Sequence, residues 1–160
     1  APPTSPRAGD DVAFTVRRRT TLAPQAAWMA LTDLPEHTRH VPLTDLEVPA
    51  GGLSVGTEVV AWTRLGPLAF ADRMLVTALE PGHRLRLVKT GRFLHGWAAI
   101  CVDADPVAPS GSLVSWTEEL WLPGLRRLTR PAGDRLGVVL FSRVVDGLLA
   151  RAVAGDRSAA

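Results

Sequence analysis

Hydrophobic positions change period along the chain. From Val12 to Thr20 they alternate, with Val12, Phe14 and Val16 set against Thr15 and Arg17, which is the period of a half-buried strand. Ala23-Pro24 then opens a helical piece through Ala26, Ala27, Trp28, Met29 and Leu31, with Pro24 suited to the first helical position. Asp33 is placed to cap a second short helix, with Glu36 three residues on. Val41-Pro42 ends it. Six strand-like runs follow: 43–48, 57–64, 68–79, 83–89, 93–102 and 112–122, separated by turn signals such as Gly66-Pro67, Pro81-Gly82 and Pro109-Ser110-Gly111. No helical pattern lies between them, so antiparallel meander pairing is expected rather than crossover units. After Pro131-Ala132-Gly133 a helix is expected over 134–153, with Leu136, Leu140, Val144 and Leu148 at helical spacing and Phe141, Val145, Leu149 and Val153 beside them.

That apolar stripe must bury against something, and the sheet is the only large partner. The fold expected is therefore α+β, with a curved antiparallel sheet of about six to seven strands around a long final helix and two short helices after the first strand. A cavity between sheet and helix would suit a small apolar molecule. One domain over 12–153 is expected, with tails at 1–11 and 154–160.

Strand alternation assigns faces. Leu68, Phe70, Asp72, Met74 and Val76 share one face of the long strand, and Val114, Trp116, Glu118 and Leu120 share one of the last. Val60 and Trp62 share a face with Glu58 and Arg64. On 93–102 the choice is open between Trp97, Ala99 and Cys101, or Ala98, Ile100 and Val102. Asp72 and Glu118 thus fall in apolar phase, where a lone carboxylate is costly. Either they contact the polar end of a ligand, paired with Arg64 or Arg73, or they form structural ion pairs. A one-residue slip at a bulge would put Arg73 inside in place of Asp72. The expected cavity lining is Trp62, Phe70, Asp72, Met74, Trp97, Trp116, Glu118, Leu140 and Val144, and the candidates for chemistry are Asp72, Glu118 and Arg64.

Composition narrows the partners. The chain has 160 residues with a formal net charge of +2, and its only cationic triplet, Arg17 to Arg19, lies within a strand-like run. A nucleic-acid face would need a broader basic patch. No stretch approaches the roughly 18 consecutive apolar residues of a membrane span, and the first residues lack the apolar centre of a signal peptide. Cys101, the single cysteine, reads as a small core residue and fits a reducing cytoplasm. No metal or cofactor is expected, and the protein would be a monomer or homodimer.

Two motifs are misleading. Gly52-Leu53-Ser54-Val55-Gly56 matches the nucleophile-elbow pattern, but a turn precedes it and a strand-like run follows, whereas the elbow needs a strand and then a helix. His37 and His40 stand three apart, with no third ligand at a recognisable spacing, and read as surface or helix-end residues. His83 and His95 are possible bases near a pocket mouth, neither with an evident orienting partner.

Element order and local strings resemble the SRPBCC superfamily, the START-like or helix-grip proteins that include polyketide cyclase/dehydrase-like members. The strings are Phe14-Thr15-Val16, Ala23-Pro24 leading to Trp28, Leu31-Thr32-Asp33, Gly56-Thr57, Phe70 with Asp72 and Met74, Glu80-Pro81, Val114 with Trp116 and Glu118, and Leu140-Phe141. The resemblance covers about 12–153 and is nearest to short single-domain members of high-GC actinobacteria. It implies a hydrophobic ligand (a polyketide-like aromatic, a lipid or a sterol-like molecule) held between sheet and helix, or polyketide cyclase, aromatase or dehydratase activity. A partner-binding protein with a filled cavity is the third option. The chain has no tyrosine, so a tyrosine-dependent cyclase mechanism does not carry over. Arg64, Arg73, Trp62 and Trp116 remain possible steering groups.

Overall fold

The computed structural model describes residues 13–41, 43–122, 124 and 126–159, with side chains of the last helix described over 135–156. The expected tail at 1–11 and the strand start at Val12 lie outside the described residues. Seven strands form one antiparallel sheet: β1 (Phe14–Thr20), β2 (Thr44–Glu47), β3 (Glu58–Leu65), β4 (Leu68–Glu80), β5 (Arg84–Lys89), β6 (His95–Ala104) and β7 (Ser112–Trp121). Their order is β1-β7-β6-β5-β4-β3-β2, so the first and last strands pair and β1 and β2 are opposite edges. Two short helices, α1 (Pro24–Thr32) and α2 (Leu34–His37), carry the chain from one edge to the other. A register shift between Val76 and Ala78 interrupts the β4–β5 pairing; such irregularities bend a strand and increase its twist.

The final helix, α3 (Arg126–Ala159), extends beyond the expected 134–153 at both ends. Pro131 removes one backbone donor without ending the helix. Val144, Val145, Leu148 and Leu149 are buried in the same core as Phe14, Val16, Leu31, Ile100 and Trp116. This apolar burial is the main source of the fold's stability. Close approach of α3 depends on small residues: a Cβ on Gly137 would lie 2.3 Å from the Phe14 ring, and one on Gly147 2.5 Å from the His40 ring. Asp33 occupies the N-cap position of α2, but its side chain makes no capping bond; its backbone N–H instead closes α1 on the Met29 carbonyl.

Candidate functional site

Between the sheet and the first half of α3 lies a cavity of about 470 Å³. Its walls follow from strand phase. On β4 the inward residues are Asp72 and Met74, and on β7 they are Trp116, Glu118 and Leu120. On β3 and β6 they are small, Ala61 and Thr63 on one and Ala98 on the other. Leu140 and Phe141 of α3 roof the space, and Trp116 stacks on Phe141 with ring centres 4.9 Å apart.

Several sequence expectations are corrected here. Trp62 and Trp97 lie on the opposite, convex face, because Val59, Ala61, Ala98 and Ile100 are the buried members of their strands. Trp97 donates its indole N–H to Glu119 at 3.0 Å and carries the Arg86 guanidinium 4.9 Å above its ring. Cys101 shares that outer face and is only half-buried. Phe70 shares the strand phase of Asp72 but lies outside the cavity wall, 40% exposed and packed edge-on against Phe93. Val144 is buried in the core and does not line the cavity. Arg64 is exposed and pairs with Asp45, and Arg73 is exposed and pairs with Glu58 at 2.6 Å, so neither reaches Asp72 or Glu118. Of the nine expected lining residues, Asp72, Met74, Trp116, Glu118 and Leu140 are brought together around the space.

The cation that does meet the two carboxyl groups is Lys89. Its side chain is 5% exposed; the ammonium hydrogen-bonds Asp72, lies 3.6 Å from Glu118 Oε1 and 3.8 Å from Met74 Sδ. The register explains the meeting. Met74 pairs with Lys89, which puts Asp72 on a diagonal; Lys89 pairs with Gly96, and Glu118 pairs with Ala98. Lys89 and Glu118 stand two strands apart, roughly 9–10 Å at the usual strand spacing. Gly96 and Ala98 on the intervening strand leave room for the two long side chains to reach across. Gly96 has φ +135°, and a Cβ there would lie 1.7 Å from the Glu119 carbonyl oxygen, so other residues are excluded.

Burial pushes the Glu118 carboxyl above its usual range; Lys89 and the indole N–H of Trp116, 3.1 Å from Oε2, oppose this without cancelling it. Burial also acts to lower the Lys89 pKa, but Glu118 and Asp72 outweigh it and hold the ammonium above its ordinary value. Asp72 Oδ1 is buried and has no hydrogen-bond partner among the described residues.

His37, expected at the surface, is 3% exposed and lines the cavity. Nε2 lies 2.9 Å from the Leu31 carbonyl, which can only accept, so Nε2 carries the proton. Burial lowers the ring's pKa to about 4, so at neutral pH Nδ1 is an acceptor. The ring centre is 5.5 Å from that of Trp116. Lys89 is legible by the alternation that places Asp72: Leu85, Leu87 and Lys89 are in one phase on β5. Nothing in the sequence signals the burial of His37, which depends on how α2 docks.

Ser54 lies in the loop before β3, bonded to Thr57 Oγ1 at 2.9 Å through both its N–H and its hydroxyl, which makes it part of a local turn. His83 bonds the Val102 carbonyl and Asp103 on the rim, and His95 lies against Trp121, both away from the cavity.

Among solved structures, TTHA0849 from Thermus thermophilus superposes over 89% of this chain and 98% of its own, with TM-score 0.69 and 17% identity. The di-domain ARO/CYC StfQ from the steffimycin biosynthetic pathway matches over 93% of this chain and 52% of its own, with TM-score 0.71 and 12% identity. Ara h 8.0201 matches over 89% and 97%, with TM-score 0.67 and 14% identity. The chain has the helix-grip fold. This is the architecture of the SRPBCC superfamily that the sequence resembles. No family model matches the sequence, and no curated protein matches it significantly. Among the described residues no helix is long and apolar enough to cross a membrane.

Proposed function

We propose that the protein binds a small hydrophobic molecule in the cavity between the sheet and α3. The observation that carries this reading is a space of about 470 Å³ between the sheet and α3, with apolar walls and a few converging polar groups. Ligand sites commonly enclose about 300–1,000 Å³, lined by apolar groups with a few converging polar ones. Here the apolar walls are Met74, Leu87, Leu120, Leu140 and the Trp116–Phe141 stack, and the polar groups are Asp72, Lys89, Glu118 and His37. A space of this size argues against a filled core that serves only as a docking scaffold. The test is titration with Nile red, a neutral dye that brightens in apolar surroundings. Saturable enhancement abolished by Ala61→Phe, which fills the cavity, is the expected result. Enhancement unchanged by that substitution would place the dye elsewhere and remove the support for this reading.

A second reading has its own support. A buried ammonium between two carboxyl groups beside an apolar cavity is the equipment of general acid–base chemistry. Cyclisation, aromatisation or dehydration of a poly-β-ketone would use it, with Lys89 and Glu118 polarising a carbonyl and Asp72 or His37 accepting a proton. Of the sequence-based candidates Arg64 drops out and Lys89 takes its place. Turnover of such a substrate that survived both Asp72→Asn and Glu118→Gln would end this reading.

A further inference from the structure

The polar end of the cavity carries one ammonium, Lys89, and two carboxyl groups, Asp72 and Glu118. With both acids ionised its charge is −1, and with Glu118 protonated it is zero. It is positive in neither state. An anionic head group entering here would lose its hydration and meet no net positive charge, which is costly in a low-dielectric space. The hydrogen-bond inventory points the same way. Lys89 directs one N–H at Asp72, and its others face only the long contacts to Glu118 Oε1 at 3.6 Å and Met74 Sδ at 3.8 Å, which a ligand oxygen at normal hydrogen-bond distance would replace. Asp72 Oδ1 is a buried acceptor with no donor among the described residues. The complement is a group that donates one hydrogen bond, accepts one and carries no charge, which describes a hydroxyl. Beside it, the Trp116–Phe141 stack, ring centres 4.9 Å apart, offers flat apolar surface to an aromatic body.

Building on the proposed binding function, we propose that the Lys89–Asp72–Glu118 cluster is a hydroxyl-recognition site that selects neutral phenols or alcohols on an apolar, preferably aromatic, body and rejects carboxylates. The ligand's O–H donates to Asp72 Oδ1 and its oxygen accepts from Lys89. Fatty acids and other anionic amphiphiles are thereby excluded despite the apolar walls.

Isothermal titration at pH 7 with four matched probes tests this: naphthalene, 2-naphthol, 2-naphthoic acid and 2-naphthylmethylamine. The expected order has 2-naphthol about tenfold tighter than naphthalene, the scale of one good buried hydrogen bond, with naphthoate the weakest of the four. In Asp72→Asn, with a carboxylate removed and Lys89 retained, the preference for naphthol over naphthoate should shrink by tenfold or more. Naphthoate or the ammonium probe binding wild type as tightly as naphthol would overturn the hydroxyl site while leaving cavity binding intact. If naphthalene and the other three all fail to bind, cavity binding itself falls and this inference with it. The wild-type series decides the matter even if the variant does not fold.

Discussion

Two pairs of adjacent residues, Asp72-Arg73 and Glu118-Glu119, place similar chemistry on opposite faces of one sheet. Glu118 and Glu119 each accept an indole N–H, from Trp116 at 3.1 Å and from Trp97 at 3.0 Å. Asp72 pairs with Lys89 inside, and Arg73 pairs with Glu58 outside. Glu119 is buried nearly as well as Glu118, at 8% against 2%, so for the glutamates the difference is the partner set, whereas for the ion pairs it is solvent. Arg73 and Glu58 are about half exposed, at 51% and 48%, so water and salt screen the pair. Lys89 and Glu118 are nearly inaccessible, so each charge depends on its few neighbours. A side chain's type therefore says little about its role here; the face of the strand decides it.

The largest expected contrast follows directly. Lys89→Met leaves buried carboxyl groups without their cation and should cost about 3–5 kcal/mol in urea unfolding, the range for breaking one side of a buried pair. Arg73→Met should cost less than about 1 kcal/mol. Similar costs for the two would remove the distinction between the faces. Next come the tryptophans. Trp116→Ala should cost about 3–5 kcal/mol, as large aromatic truncations in a core do. Trp97→Ala, half-buried on the convex face, should cost about half as much or less on area grounds, and only the first should weaken probe binding.

A pH prediction sharpens the comparison within the cavity. The unfolded chain protonates His37 near 6.5, whereas the folded protein holds it neutral down to about 4. Its contribution to stability is thus complete above about 6.5 and lost as pH falls towards 4, up to about 3 kcal/mol. Glu118 works in the opposite sense: its folded pKa is raised, so its contribution is present below its unfolded value and lost as pH rises through the folded one. Urea midpoints of wild type and His37→Asn measured between pH 7 and pH 4 isolate the histidine. The wild type should lose more stability than the variant across that window, and parallel slopes would contradict the assignment. The smallest effect is expected at Arg64, exposed and paired with Asp45. Arg64→Ala should leave dye affinity within about twofold of wild type, inside the usual range for a surface change.

The meander of β2 to β7, the long helix and the phases of β4 and β7 are legible in sequence, because alternation over ten or more residues fixes a face, whereas the pairing of β1 with β7 is not. The phases of β3 and β6 mislead for an instructive reason. Large aromatics suggest the inward face, but a sheet that encloses space needs small residues there, and Ala61, Thr63, Gly96 and Ala98 provide it. Trp62 and Trp97 cover the outside instead. Phe70 has the expected phase but sits beyond the wall, and Val144 packs below it, because alternation gives a direction and not a depth. The meeting of Lys89 with Glu118 needs the strand register, since it spans a neighbouring strand and 29 residues of sequence (118 − 89).

The most direct test is native mass spectrometry of the protein incubated with 2-naphthol, beside an Ala98→Trp variant whose added indole fills the cavity. A one-to-one complex in wild type that is lost in the variant is the expected result. No complex in either, or equal complex in both, would contradict a ligand-holding cavity between the sheet and α3.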